Sequence, residues 1–107
     1  LNRHLPGLGF TEKNIAGGRA GYRTTTPDKL PLIGNCPSYD PSTKSAIRNE
    51  RIFLSTAFGA HGMAGAPLAG EILACRIAGD LLPVPEHLMA YLTPERFILR
   101  DIKRGKI

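Results

Sequence analysis

The stretch STAFGAHGMAGAPLAGEILACRIAGD, residues 55–80, decides the fold of this chain. It continues the apolar run RIFLSTAF (51–58), which predicts a buried strand because apolar residues occupy both of its faces. The turn GAHGMAG (59–65) comes next and carries almost no side-chain chemistry. Apolar residues then recur at helical spacing across 63–79, so the stretch predicts a strand, a glycine turn and a helix.

The helix predicted at 63–79 is apolar on nearly all sides, since its charged residues are only Glu71 and Arg76. Pro67 lies close to its start, where a missing N–H costs little, and Gly79 ends it. A helix of this kind is expected to be buried, packed closely on a sheet through its small residues.

The glycine turn offers free backbone N–H groups and the positive end of a helix dipole to a ligand. A strand, such a turn and a helix make up half of a nucleotide-binding unit. Gly59, Gly62 and Gly65 are spaced by three, however, and do not form the G-x-G-x-x-G pattern of a dinucleotide-binding fold. Close packing of helix on strand explains these glycines equally well, so the pattern alone leaves both interpretations open.

The residues before this stretch predict a hairpin at 19–36. Its strands are Tyr22–Thr26 and LPLIGNC (30–36), joined by the turn TPDKLP. The polar, Pro- and Ser-rich residues 37–50 predict a loop. Residues 1–15 show no clear period and are expected to hold the end of a helix followed by a loop.

The end of the chain predicts a short terminal helix at 94–104. Thr93 is a suitable N-cap residue, and Pro94 suits the first helical position. Three apolar residues of this helix are expected to face the body: Phe97, Ile98 and Ile102.

The chain has 107 residues and a net charge of +5, from 14 Lys and Arg against 9 Asp and Glu. This excess suits a polyanionic partner, although a solvated basic tail explains it as well. No apolar run reaches the roughly 20 residues of a membrane helix, and no signal peptide is visible, so we expect a cytoplasmic piece of a longer protein. Cys36 and Cys75 fit no metal-binding pattern and are expected to be reduced thiols.

The residues of the predicted hairpin carry a family pattern, R-x-x-T-x-D-x-x-P-x-I-G. It is matched by Arg23, Thr26, Asp28, Pro31, Ile33 and Gly34. Followed by a strand and GAHGMAGAPLAG (59–70), this order resembles the C-terminal end of the D-amino-acid-oxidase superfamily of flavoproteins.

The resemblance implies a fold class, an α+β fragment of an α/β FAD-dependent oxidoreductase. Residues 1–45 would be the end of the substrate-binding domain. Residues 46–107 would be the C-terminal strand–helix part of the FAD-binding domain, with a basic tail. On this resemblance the isolated chain would lack the N-terminal part of the same protein, so we expect it to hold FAD poorly and to self-associate through its apolar helix.

The resemblance also implies the residues of the site. The cofactor-binding residues would be Gly59, Ala60, His61, Gly62, Met63, Ala64 and Gly65. Reduced flavin carries negative charge around N1 and O2, which the helix dipole would stabilise. Arg23 would bind a substrate carboxylate through its planar fork, with Tyr22 and His61 lining the site. Packing on a strand is the alternative role for Tyr22.

The end of the chain resembles the tRNA-modifying members of the superfamily in particular, through L-x-P-x-R-F (92–97) and KRGK (103–106). These members usually also carry an S-adenosylmethionine-dependent methyltransferase domain. The likeness implies oxidative removal of the carboxymethyl group of 5-carboxymethylaminomethyluridine in tRNA, which releases glyoxylate and leaves aminomethyluridine. Lys103, Arg104 and Lys106 would contact the tRNA.

Two alternatives remain open at this point. An oxidase of glycine or a D-amino acid would share Arg23 and the flavin turn but would have no use for the basic tail. A basic RNA-binding module without redox activity would need exposed aromatic residues beside lysines, whereas this chain has three Tyr, four Phe and no Trp.

Overall fold

The computed structural model describes residues 3–4 and 6–107 of the chain. Within this part the fold is α+β, with one two-stranded antiparallel sheet and three helices. The strands are β1, Leu32–Asp40, and β2, Ser45–Thr56. The helices are α1, Gly62–Ala78, α2, Glu86–Met89, and α3, Arg96–Lys103.

The sheet is a long hairpin whose turn is closed by Asp40. This carboxylate accepts hydrogen bonds from the backbone N–H and hydroxyl of Ser42 and from the hydroxyl of Thr43. The register pairs Leu32 with Thr56 at one end and Asp40 with Ser45 at the other, with an irregularity after Asn35. The predicted domain boundary after residue 45 falls at this turn and stays a prediction.

The predicted hairpin at 19–36 and the predicted loop at 37–50 are both wrong. The hairpin lies at 32–56, and most of the supposed loop forms its two strands. The polar composition is tolerated because much of this ribbon is exposed, so its residues need no alternating apolar pattern. Residues Tyr22–Thr26 make a single bridge, Thr25 to Phe58, instead of pairing with 30–36.

Helix α1 confirms the predicted helix to within one residue at each end. Gly79 ends it in the left-handed conformation, at φ 76°, with its N–H donated to the carbonyl of Cys75. Burial all round is not observed: Ala69 and Ile72 are buried, whereas Met63 is 98% and Ile77 65% exposed. Only one face of the helix has a neighbour within the described residues.

The predicted terminal helix is confirmed as α3, although it begins two residues late. Thr93 is buried and its side chain does not cap the helix; instead, its carbonyl accepts the N–H of Arg96 at 3.3 Å. Phe97, Ile98 and Ile102 are half-buried, as expected for residues that face the body.

The buried core consists of Ile33, Ala69, Ile72 and Met89. The N–H of Ile33 donates to the carbonyl of Leu92 at 2.9 Å, which ties β1 to the terminal segment. The predicted helix end in residues 1–15 falls partly on residues 1, 2 and 5, which lie outside the described residues; the described part of this range forms one 3₁₀ turn, Glu12–Asn14. No helix in the described part of the chain has the length and apolar character to cross a bilayer.

Candidate functional site: the glycine turn and the loop beside it

The turn between β2 and α1 reverses the chain through two left-handed residues. Ala57 has a φ of 63° and is buried, and Gly59 has a φ of 57°. A buried alanine in this conformation is strained, and such strain concentrates at functional sites. The N–H of Gly59 donates to the carbonyl of Thr24 at 3.1 Å, so the segment around Arg23 runs beside the turn.

Packing explains two of the three turn glycines. A Cβ on Gly59 would lie 3.2 Å from Cγ2 of Thr25, and a Cβ on Gly65 would lie 3.2 Å from Cδ1 of Phe58. Both distances are tighter than ordinary contacts. Gly62 has ordinary space, with its added Cβ 3.6 Å from Cβ of Phe58. The packing interpretation therefore accounts for Gly59 and Gly65 but not for Gly62.

The N-terminus of α1 is open to a ligand. His61 occupies the N-cap position without a side-chain capping bond, and the first turn contains no acidic residue. The N–H groups of Gly62, Met63 and Ala64 have no acceptor inside the helix by its geometry. Donors at the positive end of a 17-residue helix, with no carboxylate competing for them, fit the electron-rich pyrimidine edge of a flavin. The residues present therefore fit FAD.

A cavity of about 450 Å³ lies beside this turn. The turn and the start of α1 contribute Phe58, His61, Ala64 and Gly65 to its lining, and the loop before β1 contributes Lys29, Leu30 and Pro31. The structure thus brings the glycine turn and the T-x-D-x-x-P loop, which are about 30 residues apart in the sequence, to one place.

Arg23 and Tyr22 lie outside this cavity. They line a separate surface cleft formed by residues 19–23, and Tyr22 is fully exposed. Of the predicted substrate-binding residues, His61 therefore lines the cavity with the turn, while Arg23 and Tyr22 reach only its neighbourhood through Thr24. Their roles stay predictions.

The loop before β1 that lines the cavity is closed on itself by Thr26 and Asp28. The buried Thr26 hydroxyl lies 2.6 Å from the carbonyl oxygen of Leu30 and 2.8 Å from Oδ1 of Asp28. Oδ1 of Asp28 also accepts the N–H of Leu30 at 3.1 Å. These bonds give the Thr and Asp of the matched pattern a structural role in this chain.

Arg96 anchors the same loop from 68 residues away in the sequence. Its Nε and Nη2 donate to the two carboxylate oxygens of Asp28 at 2.8 and 3.0 Å. The guanidinium holds the pKa of Asp28 well below its usual range, mainly through this hydrogen bonding. Arg96 also donates to the carbonyls of Leu30 at 3.0 Å and Pro31 at 3.2 Å.

The guanidinium of Arg96 also binds backbone carbonyls of its own segment. Nη1 donates to the carbonyls of Leu92 and Thr93, both at 3.1 Å. Its carbon Cζ lies 4.5 Å from the ring centre of Phe97. Sequence reasoning matched Arg96 within L-x-P-x-R-F but gave it no role, because nothing local shows that its partner is Asp28.

A second ion pair fixes the terminal segment to the hairpin. Glu95 is buried, and its carboxylate accepts both Nε and Nη2 of Arg48 on β2, the former at 2.6 Å. Hydrogen bonding from Arg48 lowers the pKa of Glu95. Sequence reasoning missed this pair as well, since Arg48 stood in the supposed loop.

The predicted tRNA-contact residues lie at and beyond the end of α3. Lys103, Arg104 and Lys106 are exposed, and none of them forms an ion pair within the described part of the chain. Their charges are thus available to an anionic partner. Cys36 and Cys75 are free thiols, and no group of three or more metal-binding side chains occurs among the described residues.

Comparison with known proteins identifies the family. The protein-family model described as "FAD dependent oxidoreductase" matches residues 1–76 of this chain. The "tRNA 5-methylaminomethyl-2-thiouridine biosynthesis bifunctional protein MnmC" of Pseudomonas aeruginosa strain UCBPP-PA14 is 36% identical over an alignment of 104 residues. The match covers 83% of this chain and 16% of that protein. The protein of the same name from Aromatoleum aromaticum is 38% identical over 105 residues, 92% of this chain and 16% of the relative. The chain therefore spans about a sixth of the length of these relatives. These matches confirm the resemblance seen in the motifs: the chain belongs to the FAD dependent oxidoreductase family.

Proposed function

We propose that this chain is the C-terminal portion of an FAD-dependent oxidoreductase that modifies the wobble uridine of tRNA. The observation that carries the proposal is the cavity between the open N-terminus of α1 and the Asp28 loop. Two relatives that match most of this chain are named for tRNA 5-methylaminomethyl-2-thiouridine biosynthesis, which supports tRNA as the substrate.

The proposed substrate is tRNA that carries 5-carboxymethylaminomethyluridine. Bound FAD supplies the two-electron acceptor that converts the secondary amine to an imine, which water hydrolyses to glyoxylate and aminomethyluridine. The N–H groups of Gly62, Met63 and Ala64 would hold the polar edge of a bound flavin, and the helix dipole would favour the negative charge of its reduced form. This task needs backbone donors, which explains a turn almost without functional side chains.

The remaining proposed residues bind and orient the substrate. Arg23, next to the Thr24–Gly59 hydrogen bond, binds the substrate carboxylate as a bidentate pair. His61 forms part of the cavity wall, and Tyr22 extends the surface beside Arg23. The tail residues Lys103, Arg104 and Lys106 bind phosphates of the tRNA.

The test uses the complete parent protein, purified with its flavin and kept without oxygen. Modified tRNA is added to one sample and glycine to another, and the flavin absorption is followed. We expect bleaching by the tRNA alone, and a rate at least 10-fold lower for Arg23→Ala. Arg19→Ala is the matched control, because Arg19 is an exposed arginine of the same cleft.

Each other outcome contradicts part of the proposal. Bleaching by glycine alone would make the protein a free amino-acid oxidase and leave the tail as ordinary surface. If the modified tRNA bleaches Arg23→Ala and Arg19→Ala at the same rate, Arg23 does not bind the substrate, although the proposed reaction still stands.

A further inference from the structure

Lys29 is the residue of the cavity whose conformation calls for an explanation. Its backbone lies in the left-handed region, at φ 61°, which is unfavourable for residues other than glycine. Its N–H donates to the carbonyl of Thr26 at 3.0 Å, which closes the turn that holds this conformation. A strained, non-glycine residue on a cavity wall is a candidate for a functional side chain.

The neighbours of Lys29 hold it firmly in place. Asp28, before it, is bound by the Arg96 fork, and the carbonyl of Leu30, after it, accepts from both Thr26 and Arg96. The loop therefore holds Lys29 on a firmly bonded backbone in the lining of the cavity that also contains His61.

Charge makes Lys29 different from the other wall residues. It is the only Lys, Arg, Asp or Glu among the seven residues that line the cavity. The adjacent carboxylate of Asp28 is engaged by Arg96, and within the described part of the chain the Lys29 ammonium forms no ion pair. A cation without an ion-pair partner in the described residues thus lines the cavity together with residues at the start of α1.

We propose that Lys29 binds an anionic group of the substrate at the rim of this cavity. The inference rests on the proposed function and deepens it: Arg23 binds the substrate carboxylate from the neighbouring cleft, and Lys29 adds a cation that lines the cavity itself. The anion is an oxyanion with two possible sources in the substrate, the carboxylate on the modified base or a backbone phosphate next to it. Lysine suits either one as a compact point charge with three donors.

The test measures binding to the oxidised holoenzyme of the complete protein. The ligand is a tRNA anticodon stem-loop that carries carboxymethylaminomethyluridine, titrated at several salt concentrations. Lys29→Gly removes the charge and also relieves the left-handed strain, so loss of binding cannot be attributed to added backbone strain. Lys29→Arg keeps the charge. Lys44→Gly is the matched control, because Lys44 is also left-handed, at φ 48°, but lies at the hairpin turn.

We expect Lys29→Gly to weaken binding of the stem-loop about 5- to 10-fold at low salt, while Lys29→Arg and Lys44→Gly bind as the wild type. A second ligand, the free modified nucleoside, separates the two sources. Loss of binding to the stem-loop alone, with the slope of log Kd against log salt smaller by about 0.7, identifies a phosphate. Loss of binding to both ligands identifies the carboxylate.

Equal binding by wild type and Lys29→Gly, for both ligands at every salt concentration, would overturn the inference while leaving the proposed function standing. Failure of the proposed function has a different signature. The wild-type holoenzyme would then bind the modified and unmodified stem-loops equally and would not be bleached by the modified one, and the role of Lys29 would fall with it.

Discussion

The contact between Arg96 and Asp28 gives the sharpest prediction, because it joins the terminal segment to the loop of the candidate site. The perturbation is Arg96→Met, which keeps much of the aliphatic length and removes the fork. The side chain of Arg96 is 12% exposed and that of Asp28 is 35% exposed. We expect the variant to loosen the wall formed by Lys29, Leu30 and Pro31 and to weaken retention of the flavin.

The magnitude follows from the hydrogen bonds that are lost. Hydrogen bonds to a charged group contribute about 1.5–3 kcal/mol, and the exposure of Asp28 places this pair near the lower end. Of the four carbonyls that Arg96 binds, three keep another donor: those of Leu30, Leu92 and Thr93. The carbonyl of Pro31 loses Arg96, at a cost of about 1 kcal/mol. We therefore expect Arg96→Met to lower the free energy of unfolding by about 2.5 kcal/mol, and Arg96→Lys by about half of that.

The assay is urea unfolding of the complete holoprotein at pH 7, followed by the fluorescence of released flavin. Arg100→Met is the matched control, because Arg100 also lies over Phe97, at 4.9 Å, but its ion pair with Asp101 is a longer contact, at 3.5 Å. We expect this control to change the free energy of unfolding by less than about 0.5 kcal/mol. Equal effects of Arg96→Met and Arg100→Met would refute the anchoring role.

The pH dependence of the same contact supplies a second readout. The folded pKa of Asp28 is depressed, so its stabilisation is complete above its ordinary pKa of about 4 and is lost as the pH falls below it. The difference in unfolding free energy between wild type and Asp28→Asn is therefore expected to be constant from about pH 5 to 7 and to shrink at lower pH. A difference that grows with acid would contradict the assignment of this pKa.

Three further predictions concern the turn, the tail and the open helix face. Gly65→Ala is expected to lower the Tm of the 107-residue chain because the added Cβ would press on Phe58. Gly70→Ala is expected to raise the Tm, because its added Cβ has open space and alanine favours a helix. Equal shifts in Tm would contradict the packing role of Gly65. Neutralising the three cations of the tail (103–106) is expected to weaken tRNA binding and flatten its salt dependence, and an unchanged titration would leave the tail without a role. The isolated chain is expected to self-associate through the exposed face of α1, so that sedimentation shows oligomers that Ile77→Lys reduces; a monomer at high concentration would contradict this.

Elements with local causes were predictable from the sequence. Helix α1 follows from apolar spacing within one segment, and Gly79 ends it because glycine accepts a positive φ without strain. The predicted hairpin failed for the opposite reason. Strand pairing joins residues that are distant along the chain, and the polar residues 37–50 carry no periodic signal because the ribbon they form is largely exposed.

The family and the glycine turn were thus determined by the sequence itself, because motif residues and a helix start are local patterns. The composition of the candidate site was decided only by the tertiary structure. Arg96 reaches Asp28 across 68 residues, and Lys29 and His61 line one cavity because the turn and the loop fold together. Side-chain partners over such distances depend on how the elements pack, and no local pattern encodes that packing.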